Sequence, residues 1–148
     1  MNATLLEDGD SRRTFVLVFD TGDQVLEPLQ QFLIAERIDA AHFTAIGAFE
    51  RVTLGYFNWR RKDYDRIEIT DQVEVLMLAG DVALKGTEPV VHAHVVVGKS
   101  DGSAHGGHLI GARVRPTLEL VLTELPRHLR RRMDAATGLA LIDARASG

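Results

Sequence analysis

His92, His94 and His108 lie in one short stretch, Pro89 to Glu119, which reads PVVHAHVVVGKSDGSAHGGHLIGARVRPTLE. Neutral imidazole is a ligand for zinc, copper, iron and nickel. His92 and His94 sit within a valine run (Val90, Val91, Val95, Val96, Val97), which reads as a strand. In a strand, residues i and i+2 share a face. Lys99-Ser100-Asp101-Gly102-Ser103 is a turn signal, and a second strand runs back through His108, Leu109 and Ile110.

Register decides whether the third histidine joins the pair. A loop from Lys99 to Ser103 puts His94 opposite His108, with His92 on the adjacent diagonal. Such neighbours are roughly 5 and 7–8 Å apart. Three imidazoles at that spacing can converge on one zinc ion with bonds of about 2.0–2.1 Å. A two-residue turn at Asp101-Gly102 instead sets Val95 opposite His108 and turns His108 away. His105 falls on the other face in a regular ladder. A histidine pair of this spacing also fits two packed or two exposed imidazoles. Gly106-Gly107 leaves room beside the His108 ring and points to close backbone approach or a bulge.

The elements that position these residues follow from periodicity. Thr14 to Phe19 reads as a strand, and Asp23 to Ile38 as the one long amphipathic helix, with Leu26, Leu29, Phe32 and Leu33 near helical spacing. Pro28 suits a first turn, so the regular helix is expected from near Glu27. Strands are expected over 41–47, 51–57, 64–70, 72–84, 90–98, 105–114 and 117–124, with a last strand possible over 138–144. Gly80 marks a bulge or bend, and 125–138 a helical turn or loop. The expected fold class is α+β: a twisted, mainly antiparallel sheet of about seven strands with one helix packed on it. Residues 1–148 are expected to form one domain with a core of about 12–125, and 1–11 to be loose.

These motifs also resemble the PPC (plant and prokaryote conserved) domain family, also called DUF296. The shared elements are His92-Ala93-His94, Asp101-Gly102, Gly106-Gly107-His108-Leu109 and Thr117-Leu118-Glu119. Upstream, Phe43 to Phe49 and Glu74 to Gly80 are similar to two of the family's apolar strands. The resemblance implies a stand-alone prokaryotic type that assembles as a homotrimer and whose three histidines hold a metal, commonly zinc. Plant members carry DNA-reading AT-hooks and a partner-recruiting segment. At the matching positions, Asp71 to Leu76, the arginine and phenylalanine of that segment are missing, so the partner role is not implied.

Composition narrows the function further. Cysteine is absent, which excludes disulfides and thiolate ligands. No apolar run reaches the roughly 18–20 residues of a membrane helix. The first residues lack the pattern of a signal peptide, so the expected location is the cytoplasm. Net charge is −4 at pH 7, whereas nucleic-acid binding depends on Lys and Arg neutralising phosphates. The one dense basic run, Arg127 to Arg132, reads as a solvated or subunit-edge segment, and no AT-hook core is present.

Three histidine ligands leave a fourth position for water, the arrangement of a catalytic rather than a closed structural zinc. Glu119, on a polar strand face after His108, is the candidate general base or acceptor for a histidine N–H. Three functions are therefore weighed. The first is a metal-binding trimer with a binding or regulatory role, and a small-molecule ligand at the subunit interface. The second is a zinc-dependent hydrolase or lyase. The third is a DNA-associated protein, as the family is often labelled.

Overall fold

The computed structural model describes residues 1–9 and 12–148. The order is β1 (Asn2–Gly9), β2 (Arg12–Asp20), α1 (Leu26–Glu36), β3 (Ala41–Asn58), β4 (Asp63–Ile69), β5 (Val73–Lys85), β6 (Glu88–Gly98), β7 (Ala104–Glu124), β8 (Arg130–Met133) and β9 (Ala140–Ile142). These nine strands form one sheet. The α+β expectation describes a sheet with one helix, but the sheet is larger than the expected seven strands and is mixed. β8 runs parallel to β5, and every other ladder is antiparallel. At eleven residues, α1 is too short to cross a membrane.

β3 and β7 dominate. Each was expected as two strands, and each is continuous. They pair from Ala41↔Glu124 to Gly55↔His108, with register shifts after Gly47, Phe49 and Thr53. The shifts let both strands bend without breaking the ladder. One half of β7 pairs with β2 and the other with β6. β6 also pairs with β5, which pairs with β3. The hydrogen-bonded circuit β3–β5–β6–β7 is therefore closed.

The core follows from strand alternation. Phe15, Leu17 and Phe19 of β2 are buried directly opposite Leu122, Leu120 and Leu118 of β7. Each such side chain contributes roughly 1.5–3 kcal/mol when removed from water. The helix adds the fully buried Leu29 and Leu33 to the same cluster. Phe32 meets Phe15 edge-on at 5.1 Å. Pro28 falls in the first turn, where a missing N–H costs no helical bond. Arg37, in the left-handed conformation, ends the helix, and Ile38 N–H donates to the Leu33 carbonyl at 2.9 Å.

Three expectations need correction. The first residues are not loose: Asn2 to Gly9 pair with β2, and the N-terminal ammonium meets Asp23 Oδ2 at 2.7 Å. Their outward side chains hid this, since an exposed edge strand has no apolar face to read. Asp10 and Ser11, from the same stretch, lie outside the described residues. The segment expected as a helical turn or loop contains β8, held by its backbone to Leu84 and Lys85. Gly80 marks no bulge; it stands in regular register between Phe43 and Ala93. It is needed for close approach, because a Cβ there would lie 2.3 Å from Phe43 Cζ and 2.6 Å from the His92 carbonyl oxygen. Gly80→Ala is therefore expected to cost about 1–3 kcal/mol through overpacking. A urea midpoint unchanged from the wild type would contradict this.

Candidate metal centre

The β6–β7 turn resolves the register. Lys99 N–H donates to the Ser103 carbonyl at 2.8 Å, and Gly102 N–H to the Lys99 carbonyl at 2.9 Å. Asp101 Oδ1 accepts from Ser103 N–H at 2.9 Å and from its hydroxyl at 2.6 Å. The loop thus spans Lys99 to Ser103, and His94 stands opposite His108. The two-residue alternative does not occur, because Asp101 stabilises the wider loop.

The three imidazoles form a triangle. Ring centroids are 5.1 Å apart for His92–His94, 5.1 Å for His92–His108 and 5.5 Å for His94–His108. One nitrogen from each lies within 4.8 Å of the others. A tetrahedral ion with bonds of about 2.1 Å has ligand atoms roughly 3.4 Å apart, inside that limit. His105 lies opposite Val97, off this face and exposed.

The surroundings fit a metal. His108 Nδ1 is buried and has no hydrogen-bond partner among the described residues. Burial, reinforced by the two neighbouring histidines, pushes His108 down to about 4. Burial and then His92 lower His94 in the same direction. At neutral pH both rings are therefore uncharged, the state a metal requires. His92 Nδ1 lies 3.6 Å from Asp81 Oδ2. Burial raises the Asp81 carboxyl, but the contact with His92 and the charge of Arg131 outweigh it, so it sits below its ordinary range. A carboxylate behind a ligating histidine fixes the ring and raises its basicity.

One wall is aromatic. Tyr64 stacks on His108 with centroids 4.5 Å apart and planes 18° apart. Gly55, opposite His108, permits this, since a Cβ there would lie 2.8 Å from Tyr64 Cδ1. Gly107 is the close approach expected of the glycine pair: a Cβ there would meet the Gly55 carbonyl oxygen at 2.8 Å. Trp59, 69% exposed, packs edge-on against Phe57 beside this wall.

Glu119 is not in this group. It is exposed on the far half of β7, opposite Val18 and Ile46, and does not line the cleft beside the histidines. The carboxylate that meets a histidine is Asp81. A sequence signal for it existed: Gly86-Thr87 is a two-residue turn that pairs Lys85 with Glu88 and so sets Asp81 opposite His92. Arg131 had no such signal. Within the basic run read as solvated, its side chain is only 5% exposed and pairs with Asp81.

Residues 6–126 match the Plants and Prokaryotes Conserved (PCC) domain. The chain belongs to this family, the PPC family. A solved PPC protein from Pyrococcus horikoshii is 31% identical, covering 96% of this chain and 94% of its own, with a TM-score of 0.82. A protein from Archaeoglobus fulgidus described as metal-containing is 36% identical, covering 88% and 92%, with a TM-score of 0.81. A protein from Ralstonia eutropha, provisionally labelled DNA-binding, is 31% identical over 87% and 90%, with a TM-score of 0.81. The bifunctional protein GlmU of a Synechococcus strain is 29% identical over 131 residues, and this PPC chain spans 20% of its length.

The depressed His108 fixes the sign of a pH effect. An unfolded histidine binds its proton near pH 6.5, and folded His108 only near 4. Between these values the unfolded chain holds more protons, so stability rises with pH. The metal-free protein is expected to lose stability as pH falls from about 6.5 to 4, by less than the full shift implies because the ring is partly exposed. Melting temperatures of wild type and His108→Asn across that range check this; equal slopes would contradict it.

Proposed function

We propose that this chain is a metal-binding protein in which His92, His94 and His108 hold a divalent transition metal, zinc by preference, with a binding or regulatory role. The observation that carries this reading is the convergence of three imidazoles, two of them held neutral, on one point beside a cleft. The donor set contains no thiolate, which suits imidazole-liganded zinc, copper, iron or nickel. When bound, zinc would supply a Lewis acid and an acidified water. The metal-containing relative from Archaeoglobus fulgidus supports the same reading. We further propose that the protein works as a homotrimer, with a small-molecule ligand reaching the site near a subunit boundary.

Turnover as a hydrolase or lyase is the second reading, favoured by the open position that three ligands leave. It needs an acid/base partner at the site. Glu119 could serve only from a neighbouring copy, since in its own chain it stands away from the cleft. The DNA-binding label of relatives is weaker for this chain. Its net charge is −4, and Arg131 of the basic run is occupied by Asp81.

Elemental analysis of the purified protein is expected to give about one metal per chain, lost in His92→Ala/His94→Ala. Asp81→Asn is expected to weaken metal affinity by about 10–100-fold. Glu119→Gln should leave metal and ligand binding intact. A turnover that collapses in Glu119→Gln while metal stays bound would replace the binding reading with the catalytic one. Absence of metal from a folded wild type would remove both.

A further inference from the structure

The cleft beside the three histidines has a volume of about 460 Å³, within the range of small-molecule sites. Its outer wall comes from the β8–β9 hairpin, which follows the residues matched to the family. From this hairpin Arg131 enters the cleft wall. Its side chain is 5% exposed. One terminal nitrogen pairs with Asp81 and the other donates to the Ala140 carbonyl at 3.1 Å. Its Nε is buried with no hydrogen-bond partner among the described residues. A buried donor of a charged group left unpaired is costly, and an acceptor from outside the chain that reached this wall would offset that cost.

The lining shows what that acceptor belongs to. The charged side chains on it are Lys85 and Arg131, both cationic, and no carboxylate is among its lining residues. Most of the rest is apolar or aromatic, with Phe57, Tyr64, Val90, Leu139 and Leu141 forming the walls. A polyphosphate or sugar phosphate would leave most of its polar surface against these walls, at the cost of desolvation. A neutral apolar molecule would leave Arg131 Nε and the Lys85 ammonium unanswered. One anionic head on a compact apolar body satisfies both.

We propose that the cleft takes a small organic carboxylate, its head at the Arg131 and Lys85 end and its apolar part against Tyr64, Leu139 and Leu141. The terminal nitrogens of Arg131 are engaged by Asp81 and Ala140, so its Nε offers the head a directed donor while Lys85 supplies a second cationic group. The proposal rests on the reading of this cleft as the functional site, but its selectivity comes from residues other than the metal ligands.

Benzoate and benzamide test it, because they share a ring and differ in charge. Each is titrated into the zinc-loaded and the zinc-stripped protein, observed by the methyl NMR shifts of Leu139 and Leu141. Benzoate is expected to bind at least tenfold more tightly than benzamide, and more tightly than inorganic phosphate. Arg131→Gln should remove that preference, and Lys85→Gln should reduce it two- to threefold. If Arg131→Gln does not fold, Leu141→Asp, at a side chain 44% exposed, gives a second test by repelling benzoate and sparing benzamide. Preference for benzoate in the zinc-stripped protein would uphold this proposal even if no zinc is ever found in the native protein. Equal binding of benzoate and benzamide, tighter binding of phosphate, or no shift at Leu139 and Leu141 would overturn it and leave the metal reading standing on its own measurement.

Discussion

The ladder between β3 and β7 is the constraint on which the rest of the molecule depends. It runs along most of both strands, and the other strands attach to one of its two members or to a strand paired with them, apart from β9, which attaches to β8. At one end it carries the apolar core, where Phe43 and Leu122 face each other. At the other it brings Gly55 against His108. Register shifts interrupt the period of two between these ends, so the site end is set locally: Leu109, buried and paired with buried Leu54, turns its neighbour His108 to the opposite face. Packing energy spent on leucines thereby fixes the aim of an imidazole.

The local part of this design was legible in the sequence. The valine run from Val90 to Val97 and the turn signal from Lys99 to Ser103 located the hairpin, and the choice between two loops was a choice between two definite registers. The long-range part was not. β1 has no buried face, so apolar periodicity had nothing to detect. β3 and β7 read as two strands each because their bulges interrupt the alternation. Arg131 looks like its solvated neighbours in sequence, and only the parallel contact of β8 with Leu84 and Lys85 turns it inward. Glu119 drew attention through its place on a polar strand face, yet strand spacing alone cannot tell which end of a bent strand faces a site. Asp81 was within reach, since the Gly86-Thr87 turn sets its register.

The electrostatics of the site follow from the same packing. Three imidazoles at 5.1–5.5 Å between centroids cannot all carry charge without repulsion. Burial removes the water that would screen them, so His94 and His108 favour the neutral form. Asp81 stands behind His92, and Arg131 stands behind Asp81. The order is ring, carboxylate, guanidinium, each polarising the next. It couples the histidine face to the outer hairpin through side chains, beside the backbone ladders that β5 makes with β6 and with β8.

The hairpin that carries all three histidines has a kinetic consequence. The ligands lie between residues 92 and 108 and are joined by a loop of five residues. Closing so short a loop costs little chain entropy, and hairpins form in about 1–10 μs. The β2–β7 ladder, by contrast, joins Thr14 to Thr123, a closure that must wait for most of the chain. The histidines can therefore meet before the body of the sheet exists. Asp81 arrives with the neighbouring β5–β6 turn, and the Arg131 wall arrives last. The centre is assembled from its inner face outward, so an ion captured early would act as a clip around which the slower, non-local strands are threaded.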